Sequence, residues 1–132
     1  MPLVADTTVL IDLWRLRRDP RRLTDLRDKL IDPALPLPVV FEFARGAAHR
    51  GVERPKVDAF LAGFAFLVPN RDEIYRAAAI DARLRTQGQE IGGADVWIAA
   101  AALVRNWPVL TANTGHFKRV EGLEVIGYEI LP

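Results

Sequence analysis

The chain has no cysteine. Disulfides, thiolate zinc sites and cysteine nucleophiles are therefore excluded, and the absence suits a reducing compartment. Histidine is scarce, with only His49 and His116 among 132 residues. No apolar run reaches the roughly 18 residues that a membrane span requires. The opening Met1-Pro2-Leu3-Val4-Ala5-Asp6 meets an acid too soon for a secretory signal. A soluble cytoplasmic protein with no membrane contact is the expectation. A large excess of one charge is also missing: the net charge is only +1, so the chain as a whole is no polyanion sponge.

What remains is an ordinary globular balance, 50% hydrophobic and 27% charged. The length suits one domain spanning residues 1–132 with a sizeable core. The basic residues are unevenly spread. Arg15, Arg17, Arg18, Arg21, Arg22, Arg27 and Lys29 face only Asp19, Asp25 and Asp28 in the same stretch. That stripe either guides a phosphate backbone or is the solvated face of two helices.

Short apolar runs alternate with helical periodicity. Leu3-Val4-Ala5 reads as a buried strand, and residues 9–14 as a helix entered through Asp6-Thr7-Thr8. Asp19-Pro20 opens a second helix towards Ile31. Pro33, Pro36 and Pro38 bracket a short strand through Leu35 to Val40, expected to be at an edge or irregular. Helices follow over 41–50 and 55–62, then a strand over 64–68 and a helix from Asp72 to Thr86. Residues 94–104 are apolar almost all round, the mark of a buried helix. Strands over 108–111 and 124–128 flank a brief helical turn at His116-Phe117. This alternation predicts an α/β fold with a central parallel sheet of four to five strands between helix layers.

In such sheets sites form at the carboxyl ends of the strands. Asp6 ends the first strand, Glu42 starts the helix after the second, and Asp95 starts the apolar helix after Gly92-Gly93. Each also has a plainer reading, as a helix cap or a first-turn acid. Asp95 resists that reading most, because an unpaired carboxylate beside Val96 to Leu103 is costly. Three carboxylates on one rim suit a hard oxygen-seeking cation, Mg²⁺ or Mn²⁺. Such an ion binds phosphate and lowers the pKa of a bound water, which prepares phosphodiester hydrolysis. Asp12 reads as solvated or locally paired, His49 as a surface residue, and Trp14, Trp97 and Trp107 as core or interface residues. Asp81 has no assignment.

Four segments together resemble the PIN-domain family. Val4-Ala5-Asp6-Thr7-Thr8-Val9-Leu10-Ile11-Asp12-Leu13 is similar to its opening strand and acid. Pro38-Val39-Val40-Phe41-Glu42-Phe43-Ala44-Arg45-Gly46-Ala47 is similar to its second acidic motif. Gly93-Ala94-Asp95-Val96-Trp97-Ile98-Ala99-Ala100-Ala101-Ala102 is similar to its third, and Val109-Leu110-Thr111-Ala112-Asn113-Thr114-Gly115-His116-Phe117 to its closing segment. They stand in the family's order over nearly the whole chain, and the closing segment resembles that of VapC-type toxins.

The resemblance implies a PIN-like three-layer α/β/α sandwich and a metal-dependent endoribonuclease from a toxin–antitoxin pair. Asp6 and Asp95 would hold the Mg²⁺ or Mn²⁺, with Glu42 completing the cluster or orienting water. Thr7 and Thr111 would bond to carboxylates or to substrate phosphate. Asn113 and His116 stand in the segment where the family often has a fourth acid. Asn113 would join the catalytic set by donating to phosphate or ligating through its amide oxygen, and His116 would contact RNA or donate a proton. The resemblance further implies a VapB-like antitoxin and a homodimer; Leu13, Trp14, Leu16, Leu23 and Leu26 are either part of the antitoxin groove or ordinary core. Two other classes stay open. One is a non-catalytic PIN-fold binding module, since Asn113 carries no charge. The other is an aspartate-dependent phosphohydrolase built on Asp6, although Thr8 stands where a second acid would be wanted.

Overall fold

The computed structural model describes residues 1–132. Five short parallel strands, β1 (Leu3–Ala5), β2 (Pro33–Pro36), β3 (Ala65–Leu67), β4 (Val109–Leu110) and β5 (Val125–Ile126), make one sheet in the order β3-β2-β1-β4-β5. Val4 sits at its centre, in register with Ala34 on one side and Val109 on the other. The helices are α1 (Thr7–Arg15), α2 (Thr24–Lys29), α3 (Leu37–His49), α4 (Arg54–Leu61), α5 (Arg71–Thr86), α6 (Gly93–Arg105) and α7 (Thr114–Phe117), with a 3₁₀ turn at Pro20–Leu23. They flank the sheet as the alternation of elements predicts.

The core follows from the strands' composition. Leu3, Val4, Ala5, Leu35, Val109 and Leu110 are all buried, as a sheet covered on both faces requires. Helix α6 packs against β1, β2, β4 and α5. Its alanines, Ala99 to Ala102, are buried and let backbones approach closely. Gly92 enters α6 with φ of +92°, a conformation that a side chain would strain. No helix is long and apolar enough to cross a membrane.

One expectation needs correction. The proline-bracketed strand is not at an edge, because β2 lies between β1 and β3. Pro33 and Pro36 occupy its two ends, which leaves the N–H groups of Ala34 and Leu35 free for the ladder. The strand also stops at Pro36, and Leu37 to Val40 belong to α3 with Pro38 in its first turn. The early helices resolve a choice that their apolar residues left open. Leu13, Leu16, Leu23 and Leu26 are buried in the main core, so of the five groove candidates only Trp14 reaches the surface.

Candidate active site

The chain runs from β1 outward to β2 and β3, then returns across β1 to form β4 on the other side. The crevice at the carboxyl ends of β1 and β4 is therefore the topological switch point, where ligands of open α/β sheets bind. Asp6 follows β1 there and Thr111 follows β4. Asp6 is 4% exposed and Thr111 is fully buried.

Asp6 is both a helix cap and the centre of a cluster. One oxygen, Oδ1, accepts from Thr7 N at 2.7 Å, which caps α1. The other, Oδ2, accepts from Thr111 Oγ1 at 2.7 Å and from Thr8 Oγ1 at 3.1 Å. Both hydroxyls are themselves fixed: Asn113 N donates to Thr111 Oγ1 at 2.8 Å, and Ala112 N donates to Thr8 Oγ1 at 3.1 Å. Two threonines thus link the carboxylate to the loop between β4 and α7. Thr8 was not singled out in the sequence, where the doubled threonine after Asp6 was the available signal.

Despite those donors, the Asp6 carboxyl is held above its ordinary range. Burial is the largest cause, and the charge of Asp95 adds to it. Glu42 is raised as well, first by burial and then by the charges of Asp6 and Asp95, with Arg45 working the other way. The three acids therefore feel one another across the crevice. Glu42 lies about one and a half turns into α3 rather than at its start, because the helix begins at Leu37. Thr7 Oγ1 is close enough to Glu42 to lower its pKa, yet it is buried without a hydrogen bond of full geometry.

Asp95, in the first turn of α6, meets the closing segment. Its Oδ2 lies 3.0 Å from His116 Nδ1, and that nitrogen lies 3.0 Å from Asn113 Nδ2. A carboxylate only accepts, so in a neutral ring Nδ1 carries the hydrogen and Nε2 is left as an acceptor. The Asn113 amide then turns its oxygen, not its nitrogen, towards His116. No three Asp, Glu or His side chains are gathered closely enough to form a ready-made cation cage. Two of the acids are engaged instead by threonines and by His116.

The other candidates have structural partners. Asp12 pairs with Arg15 at 3.1 Å and accepts from Tyr128, while Asp81 pairs with Arg85 at 2.9 Å. His49 is exposed at the far end of α3. The basic stripe is partly structural: Arg22 Nε donates to Leu131 O, and Lys29 Nζ donates to Asp25 and to Gly127 O.

The raised pKa of Glu42 has a consequence for stability. Between its ordinary value of 4.5 and its raised value, the folded chain binds the extra proton. Stability therefore falls as pH rises through that window, and ionised Glu42 is destabilising at neutral pH. Glu42→Gln is expected to raise Tm at neutral pH by about 1–3 °C, the scale of a partly exposed charge. The gain should vanish below 4.5, and calorimetry at the two pH values checks both parts.

Comparison with known proteins agrees with this geometry. The PIN domain model matches residues 3–123. The ribonuclease VapC of Rickettsia bellii is 30% identical over 128 residues, covering 96% of each chain. Among solved structures, VapBC2 from Rickettsia felis, bound to a DNA fragment from their promoter, superposes with a TM-score of 0.82 at 22% identity, over 98% of this chain and 100% of that one. FitAcB from Neisseria gonorrhoeae superposes with a TM-score of 0.76 at 28% identity, over 96% of both chains. With its switch-point aspartate, its two further acids and its sequence relatives, the chain belongs to the PIN-domain family, among the VapC ribonucleases.

Proposed function

We propose that the protein is a metal-dependent endoribonuclease, the toxin of a toxin–antitoxin pair, acting in the cytoplasm. The observation that carries this reading is Asp6: a carboxylate that accepts three hydrogen bonds, has no cationic partner, and has its pKa raised first by burial and then by its neighbour Asp95. Oxygen groups dominate the crevice, three of them carboxylates that raise one another's charge cost and one the Thr7 hydroxyl, with His116 as the nitrogen group against Asp95. That donor set fits Mg²⁺ or Mn²⁺, with Asp6 and Asp95 as ligands and Glu42 beside them. A divalent ion held there would neutralise the acids, bind phosphate and favour ionisation of a water molecule.

The chain's own residues supply the rest. Thr7, Thr8 and Thr111 fix the Asp6 carboxylate in one orientation, which lowers the cost of ordering it during reaction. Glu42 is only partly buried and its pKa is raised towards neutrality, which suits a group that takes a proton from water. Asn113 stands where its amide nitrogen can donate to a phosphate oxygen, and His116 stands beside it where it can contact the RNA. His116 also holds Asp95 in place, a role that a fourth acid could not fill without adding repulsion.

A free nuclease of this kind requires restraint, and the solved relatives are toxin–antitoxin complexes. A VapB-like antitoxin is the proposed partner. A surface groove of about 740 Å³ lies among Trp14, Arg17, Arg18, Val52, Lys56 and Phe60. Arg17 lies 4.1 Å above the Trp14 ring and Phe60 is stacked on Phe43, so the rings offer edges rather than a free platform for a base. This favours a peptide over RNA in the groove. Trp14→Ala is expected to weaken the antitoxin complex about 30-fold by calorimetry, as for a central aromatic anchor; unchanged affinity would remove the groove from the interface. A second, apolar pocket lined by Leu37, Pro38, Phe41, Pro69 and Trp97, with Leu37 and Phe41 exposed, supports a homodimer.

Expression of the chain alone tests the reading in cells. Growth arrest with fragmented RNA, relieved by Asp95→Ala, is expected; continued growth with intact RNA would count against a toxin.

A further inference from the structure

Beyond β5 the chain has no regular structure, yet it is tied down residue by residue. Gly127 O accepts from Lys29 Nζ at 3.0 Å, and Glu129 N donates to Asp25 Oδ2 at 2.7 Å. Leu131 exchanges two hydrogen bonds with Arg22. Within this strap Tyr128 reaches α1, where its hydroxyl donates to Asp12 Oδ2 at 2.7 Å. Asp12 lies four residues after Thr8, on the same face of α1. The phenol is close enough to Thr8 and Asp6 for each to act on its ionisation. Burial and Asp12 hold it well above the usual tyrosine range, so it stays a neutral donor.

The preceding residues touch the opposite side of the crevice. Ile126 O accepts from Thr111 N at 3.0 Å. Gly127 passes so close to α7 that a Cβ there would come within 2.9 Å of Thr114 Cγ2. Residues 126–128 therefore bridge the two pieces of chain that hold the Asp6 carboxylate: the first turns of α1 and the loop between β4 and α7.

We propose that Tyr128 is a positioning residue for Asp6. By clamping Asp12 it sets the rotation of the first turns of α1 against the loop, and with it the Thr8 hydroxyl that joins Asp6 Oδ2 to Ala112 N. The inference rests on reading Asp6 as catalytic. The strap's other bonds, to Lys29, Asp25 and Arg22, tie it down on either side of this phenol oxygen.

Tyr128→Phe keeps the ring and removes that oxygen. On the purified full chain, kcat for RNA cleavage should fall about tenfold, the usual scale for a group supporting a ligand. KM should be unchanged and Tm should move by no more than about 3 °C. Exchange of the Ala112 amide, bonded to Thr8, should quicken about tenfold, whereas that of Val4, bonded to Pro108 within the sheet, should not. Asp12→Ala should reproduce the loss without adding to it, and Asp12→Asn, which keeps an acceptor oxygen, should restore most of it. Wild-type kcat together with unaltered Ala112 exchange would overturn the proposal, as would a loss of rate that only follows a loss of Tm. If the wild-type chain cleaves no RNA, the nuclease reading fails, and Ala112 exchange alone still decides whether Tyr128 positions the crevice.

Discussion

Asp6→Ala is expected to lower RNA cleavage by about 10³-fold or more, while the chain stays folded. The size follows from what the side chain gathers. Its two oxygens collect the Thr7 amide and the hydroxyls of Thr8 and Thr111, and through those hydroxyls the amides of Ala112 and Asn113. Alanine removes the carboxylate that would hold a cation and also the anchor that orders its neighbours. Loss of a single preorganised polar group at a reacting centre already costs about 10²–10³-fold. Stability should change little, because two effects oppose each other. Loss of the α1 cap costs about 1 kcal/mol. Removal of a buried carboxylate, raised by desolvation and by Asp95, offsets it. Kinetics on total RNA, with circular dichroism as the control for folding, measures both. Near wild-type cleavage by a folded Asp6→Ala protein would exclude Asp6 from the chemistry.

Phe117→Ala carries the largest expected effect on stability, a loss of about 3–5 kcal/mol. Phe117 is fully buried and belongs to the main core cluster, although its helix α7 is a single turn of four residues. Isolated turns of that length have no stability of their own, so α7 relies on tertiary contacts, and Phe117 is its one residue buried in the core. For a chain of this size the loss lowers Tm by roughly 10–15 °C. His116 stands next to it and holds Asp95, so cleavage should weaken even where the protein remains folded. Phe117→Leu, which fills most of the space, should recover more than half of both losses. A drop in Tm of only a degree or two for Phe117→Ala would mean that α7 is held by something other than its core contact.

How far these features could be read in the sequence depended on how local their cause was. β1 and α6 were readable because their composition is one-sided: Leu3-Val4-Ala5 has nothing to show to water, and Val96 to Ala102 bury nearly every side chain. The acids were readable because a carboxylate at a strand end is out of keeping with such neighbours. The prolines misled, since Pro33 and Pro36 mark the two ends of an interior strand and not a sheet edge. The leucines of the early helices were open to either reading, because an apolar stripe looks the same whether it faces a core or a partner; Leu13, Leu16, Leu23 and Leu26 face the core. The doubled threonine signals capping, and only for Thr7 does the family resemblance add a bond to a carboxylate or phosphate; Thr8 is the one the structure brings forward. Tyr128 gave none. It meets Asp12 across 116 residues of chain, and only the packing of the strap against α1 brings them together.

The most direct test is cleavage of purified total RNA by the wild-type chain in Mg²⁺ or Mn²⁺, beside the same reaction in EDTA and beside Asp95→Ala. Discrete cuts that require the divalent ion and disappear in the variant are expected, and their ends would identify the substrate. Cuts that persist in EDTA, or that Asp95→Ala still makes, would contradict an acid-held cation as the source of the activity; tight divalent binding with no cleavage at all would leave a PIN fold that binds without cutting.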